Sequence, residues 1–158
     1  MIEITFRDFY EHKYSDDGFE LYVMKNGLDD VLYVGISRND VWDRWFGWNG
    51  HIARDAKFMV GESSVGQKIT DNLPDSWSWK IQLWTLDDCV AFCADKLNLH
   101  GRYTIQMLEP FMIQKLNPIL NVTYNLNPGI DTTPKSKKEK QREAELDKAF
   151  REIFEKKK

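Results

Sequence analysis

Apolar residues along the chain change period several times, and each change marks an element. Phe19 to Lys25 and Val31 to Ser37 are dense in strand formers, and Asn26-Gly27 between them marks a turn. The two runs predict an antiparallel hairpin closed by a loop of several residues. Asn39 or Asp40 can cap a helix carrying Val41, Trp42, Arg44 and Trp45, which Asn49-Gly50 ends or interrupts. Ser63 to Leu73 predicts a further helix, stopped by Pro74. Trp77, Trp79, Ile81 and Leu83 alternate with Ser78, Lys80 and Gln82, the signature of a third strand buried on one face. Leu86, Val90, Cys93 and Leu97 then share a helical stripe. Arg102 to Leu116 predicts another helix, with Pro118 just beyond it and Pro110 inside, where a kink or a new first turn is expected. Ile2 to Tyr14 alternates only in part and has no clear state, and Ser15-Asp16-Asp17-Gly18 after it is a turn signal.

This order predicts an α+β fold: a small central antiparallel three-stranded sheet flanked by helices, with a C-terminal helical tail. Residues 1–130 form the expected domain. Residues 131–158 form a linker and a charged helix whose narrow apolar stripe is Leu146, Ala149, Phe150 and Ile153. That stripe would dock on the body or on a second copy, so a homodimer through the C-terminal helix is a candidate assembly.

Composition narrows the class without naming a function. The 158 residues suit one ordinary domain, and 42% hydrophobic residues with six tryptophans argue against disorder. No apolar run is long enough to cross a bilayer, so no membrane partner is expected. Cys89 and Cys93 lack a histidine at metal-ligand spacing, which favours a buried pair in a reducing, cytoplasmic setting. The formal charge is -3, but residues 135–158 hold ten Lys and Arg against six Asp and Glu. The remainder of the chain is therefore acidic, which does not suit tight non-specific binding to nucleic acid. Arg38, Arg44, Arg54, Lys57 and Lys68 are the residues available for a local basic groove.

One ordered set of residues carries chemistry. Tyr22 lies on the first strand of the hairpin and Tyr33-Val34-Gly35 on the second, followed by Ser37 and a helical Arg44. Glu109 follows on a late helix, then Pro118 and Asn121. The two tyrosines share a side or not according to strand register. Gly35 allows close approach of a backbone or ligand, or a bulge. A carboxylate with phosphate oxygens and waters makes a normal Mg²⁺ shell, and the planar fork of arginine suits a phosphate.

This array resembles the GIY-YIG nuclease superfamily. Tyr22 matches the first tyrosine triplet of that family, and Tyr33-Val34-Gly35 the second, with Ser37 suitably placed after it. Arg44 matches the helical arginine, and Glu109, Pro118 and Asn121 match the closing segment. Four positions depart from the pattern: Glu20 for the usual glycine, Ile36 for the lysine of UvrC-like members, Trp48 where several members have histidine, and Pro110 beside the glutamate. The resemblance is thus to a small stand-alone endonuclease rather than the UvrC-like branch. It implies metal-dependent hydrolysis of DNA phosphodiester bonds, with Mg²⁺ or Mn²⁺ on Glu109 and DNA as the partner. The implied catalytic set is Tyr22, Tyr33, Arg44, Glu109 and Asn121, in which one of the two tyrosines activates or orients the water. Tyr22 is the favoured base and Tyr33 the favoured positioning residue, with the reverse assignment open, and Asn121 fixes the site through backbone hydrogen bonds. Gly35, Ser37, Arg38 and His51 are the expected DNA-binding positions, and His51 is an alternative base. The alternative function is an inactive module that binds nucleic acid or protein without cutting.

Overall fold

The structure is a computed structural model, and it describes residues 1–13, 18–54 and 58–156. The expected turn at Ser15-Asp16-Asp17 and Lys57 of the basic groove lie outside these residues. Strands β1 (Ile2–Thr5), β2 (Phe19–Lys25), β3 (Val31–Ile36) and β6 (Lys80–Thr85) form one antiparallel sheet in the order β1-β6-β2-β3. A second, two-stranded sheet joins β4 (Ile52–Arg54) to β5 (Met59–Gly61). The helices are α1 (Phe6–His12), α2 (Val41–Phe46), α3 (Ser64–Asp71), α4 (Leu86–Phe92), α5 (Ile105–Leu116) and α6 (Lys137–Glu155).

The α+β class is as the sequence predicts, and the main sheet has one strand more than expected. The fourth strand is Ile2–Thr5, whose partial alternation carries little signal alone but pairs Ile2 with Leu83 and Ile4 with Ile81 on the free edge of β6. The tryptophan-rich start of the expected third strand is also corrected. Asp75–Ser78 is a 3-10 turn, and the strand begins at Lys80. Trp77 and Trp79 still pack on the core, so their alternation reports burial rather than extended backbone. Pro110 does not divide α5, which runs from Ile105 to Leu116 as one helix.

The main sheet is buried on both faces. Tyr22, Met24, Ile81 and Leu83 point to one side, where they meet Phe6 and Phe9 of α1, Trp45 of α2 and Ile69 of α3. Leu21, Val23 and Trp84 point to the other, against Cys89 of α4 and Leu108 and Met112 of α5. This is the period-two alternation of a strand packed between helical layers. A register shift opposite Met24 and Lys25 inserts Leu32 as an extra residue in β3. Leu32 therefore joins the first cluster while Val34 joins the second. Cys89 and Cys93 are free, buried thiols, and burial pushes the Cys89 thiol up to about 12.

The last helix is anchored at its start. Ser136 caps it and donates from Oγ to the Asp71 carbonyl at 2.9 Å, and Arg142 holds the buried Asp71 carboxylate with contacts of 2.7 and 3.1 Å. Lys68 pairs with Asp131 at 2.7 Å and with Glu139. No residue of α6 is buried, and Leu146, Phe150, Ile153 and Phe154 are exposed. Among the described residues no helix is long and apolar enough to cross a membrane.

Candidate active site

The register of the hairpin decides what the sequence left open. Tyr22 pairs with Gly35 and Met24 with Tyr33. Cross-strand partners share a face, so Tyr22 and Tyr33 are diagonal neighbours on one side of the sheet. Their ring centroids are 6.2 Å apart, with planes inclined by 28°. Gly35 is required by this arrangement. A Cβ there would stand 2.3 Å from the Tyr22 oxygen and 2.8 Å from the Tyr33 ring, so only glycine leaves room for the Tyr22 phenol to cross the strand.

Beneath the tyrosines lies a hydrogen-bonded relay. The Tyr22 hydroxyl is 2.6 Å from His51 Nε2, and His51 Nδ1 is 2.7 Å from Ser63 Oγ. Ser63 caps α3, its Oγ accepting the Gly66 N–H at 3.1 Å. Burial, reinforced by the Arg44 charge, depresses His51 to about 3, so its imidazole is neutral. A neutral imidazole has one donor and one acceptor. The Arg44 guanidinium beside the Tyr22 oxygen can only donate, which directs the Tyr22 proton to Nε2 and assigns the Nδ1–H to Ser63. His51 is also packed by Trp45, with ring centroids 4.7 Å apart, and by the backbone of Gly66, where a Cβ would fall 1.8 Å from the His51 carbonyl oxygen.

The two phenols are both held in their protonated form. Burial raises Tyr22 far above its ordinary value, the neighbouring Tyr33 adds to this, and the Arg44 charge opposes it. Tyr33 is raised too, by burial first, with Arg44 lowering it and Glu109 raising it. Tyr22 is fully buried, whereas Tyr33 is only half-buried and lines a cleft of about 420 Å³ with Glu109, Asn121 and Tyr124. The expectation that Tyr22 meets the water does not fit this burial. Tyr33 is the tyrosine that reaches the cleft.

Glu109 is half-buried on α5 and has no hydrogen bond or ion pair among the described residues. Burial alone raises its carboxyl above the usual range. Arg44, exposed at the end of α2, lies beside the Tyr22 oxygen, makes a long contact of 3.5 Å to the Asn49 carbonyl, and has no carboxylate partner among the described residues. An uncompensated carboxylate and a guanidinium without a carboxylate partner thus act on the same two phenols. No group of three or more His, Cys, Asp or Glu stands together among the described residues. A cation here would be held by Glu109 alone, which suits an ion that keeps most of its shell as water and phosphate oxygen.

Asn121 holds the middle of the tyrosine triplet. Its Oδ1 accepts the Val34 N–H at 2.9 Å and its Nδ2 donates to the Val34 carbonyl at 2.8 Å. β3 is an edge strand, and the segment after Pro118 lies along it, Ile119 and Leu120 donating to Val31 and Leu32 at 3.0 and 2.9 Å. The asparagine amide presents one donor and one acceptor in a plane, as a neighbouring strand would.

The expected DNA-binding residues divide. Arg38 is exposed, but Gly35, Ser37 and His51 are buried. Ser37 directs its hydroxyl to the Asp40 carbonyl at 3.0 Å, shaping the entry to α2. His51 faces Tyr22 rather than solvent. Lys68 is withdrawn from the expected groove by Asp131 and Glu139, leaving Arg38, Arg44 and Arg54. Ser63 was not among the expected residues. Its one sequence signal was a capping position before an apolar-periodic helix, which says nothing about a histidine twelve residues earlier. Compared with family models, curated proteins and solved structures, the chain finds no match in any of the three.

Proposed function

We propose that the chain is a metal-dependent DNA endonuclease of the GIY-YIG kind, hydrolysing a phosphodiester at the wall formed by Tyr33, Arg44 and Glu109. The observation that carries this reading is the pair of unbalanced charges. A half-buried carboxylate without a partner invites a cation, and an arginine without a carboxylate partner, acting on the same Tyr33 phenol, invites an anion. A phosphate group with Mg²⁺ or Mn²⁺ satisfies both, and such an ion on Glu109 would supply charge neutralisation for the reacting phosphate.

The residues of the chain do the rest. Arg44 takes two phosphate oxygens through its fork and holds the group in line. Tyr33, at the cleft, orients the attacking water; its minor phenolate fraction accepts the water's proton as the phosphorus–oxygen bond forms, and the leaving oxygen takes a proton from solvent as its bond to phosphorus breaks. Tyr22 stays beneath, and its hydroxyl, fixed by His51 and Ser63, keeps the Arg44 side of the site in register. Asn121 locks the peptide between Tyr33 and Gly35.

A plasmid-nicking assay with Mg²⁺ or Mn²⁺ tests the reading, run beside a Glu109→Ala variant. Cleavage by the wild type that the variant loses is the expected result. Cleavage that persists in the variant removes Glu109 as the metal ligand. No cleavage by the wild type on duplex, branched or single-stranded DNA favours a binding module instead.

A further inference from the structure

Five of the six tryptophans pack in or against the two cores, and the sixth does not. Trp48 is 94% exposed. It is not the tip of a loose loop. Gly47 N–H donates to the Asp43 carbonyl at 2.8 Å, Gly50 N–H to Gly47 at 3.0 Å, and His51 N–H to Arg44 at 3.2 Å. A Cβ at Gly47 would lie 2.5 Å from the Asp43 oxygen, and one at Gly50 would lie 2.6 Å from the Trp45 oxygen. The backbone is therefore folded tightly back on the end of α2, and Asn49 takes the left-handed conformation at φ 55° to close the turn. An indole held outward on so constrained a support is presented to something.

Its surroundings indicate what. Two clefts of about 830 and 490 Å³ meet along Arg44, Gly47 and Trp48. Arg54 borders the first, its guanidinium 4.8 Å from the Trp42 ring centroid, and Arg38 borders the second. Three guanidinium groups without a carboxylate partner among the described residues thus line the clefts that Trp48 borders, together with Glu62 in the first and Asp40 and Asp43 in the second. Guanidinium groups take phosphates, and an indole takes the face of a base. A fully paired duplex has no free base face beside its backbone. With a net charge of -3, the chain also has little general attraction for duplex DNA.

We propose that Trp48 stacks on an unpaired base next to the phosphate held by Arg44, so that the site favours DNA interrupted by a bulge or a gap over uniform duplex. The cleavage part of this inference rests on the endonuclease reading; the binding part does not.

Fluorescence anisotropy with a labelled duplex, and with the same duplex carrying one unpaired 2-aminopurine, tests it on the full chain. The wild type should bind the interrupted duplex about tenfold more tightly and quench the 2-aminopurine emission on binding. Trp48→Ala should lose both the preference and the quenching, and Trp48→Phe should keep them. Leu99→Ala, at a residue equally exposed but lining neither cleft, should match the wild type. Equal losses by Trp48→Ala on both duplexes, a preference that survives it, or no binding to either DNA would each overturn the inference. Cleavage of the same oligonucleotides is scored separately. A stacking preference without cleavage keeps this inference and removes the endonuclease.

Discussion

Removing the Asn121 side chain should weaken the protein as well as the site, by an amount that follows from its two hydrogen bonds. The amide engages both polar groups of the Val34 peptide, at 2.9 and 2.8 Å, on an edge strand that has no strand neighbour on that side. Two ordinary hydrogen bonds contribute about 2 kcal/mol net, and leaving both peptide groups unsatisfied would bring the loss to about 4 kcal/mol. The Val34 side chain is fully buried, so water reaches this peptide poorly and the upper figure is the closer one. For a chain of this size Asn121→Ala should therefore lower the melting temperature by roughly 8 to 16 °C. Asn121→Asp should be worse near neutral pH, because a carboxylate faces the Val34 carbonyl with no proton to donate. Acidification that protonates this carboxyl should restore a donor and recover part of the loss. Thermal melts followed by circular dichroism, at neutral and mildly acidic pH, measure both effects. An Asn121→Ala variant as stable as the wild type, or an Asn121→Asp variant indistinguishable from the alanine one at every pH, would refute the clamp.

Two further outcomes follow from the electrostatics of the cleft. Glu109 has its folded-state carboxyl raised by burial, so the stability it permits when protonated is lost as pH rises through that raised value. Glu109→Gln should accordingly raise the melting temperature of the metal-free protein at neutral pH. Mg²⁺ or Mn²⁺ at a hundred times its dissociation constant should stabilise the wild type by about 2.7 kcal/mol and the variant not at all; a metal-induced shift of equal size in both would remove the ligand. Tyr33 is raised above the ordinary phenol value, so its phenolate is scarce at neutral pH. Single-turnover cleavage should rise by about tenfold per pH unit between about pH 7 and 10, because a phenolate base gains population over that range. A flat profile there would exclude Tyr33 as the base.

The sequence by itself determined the elements whose signals are local. The hairpin from Phe19 to Ser37, a cap at Asn39 or Asp40, the helix after Ser63 and the alternation that ends in Ile81 and Leu83 depend on neighbours a few residues apart, and their periodicities are visible in one dimension. The α+β class followed from their order. The candidate residues Tyr22, Tyr33, Arg44, Glu109 and Asn121 were likewise visible as residue types at suggestive positions. Their mutual geometry was not. That Tyr22 and Tyr33 share a face depends on a cross-strand register, and the inserted Leu32 opposite Met24 and Lys25 shows how easily one residue changes it. The first strand became a strand only by finding the open edge of β6, a partner almost eighty residues away. His51 changed most, from a lone loop histidine to a buried partner of Tyr22 and Ser63, because its surroundings are assembled from β2, α2 and α3. Trp48 moved the other way, since only packing shows which of six tryptophans the core leaves out. Local propensity chose the elements. Burial and long-range hydrogen bonding chose which side chains face one another, and those contacts join residues too distant in sequence for any local pattern to record.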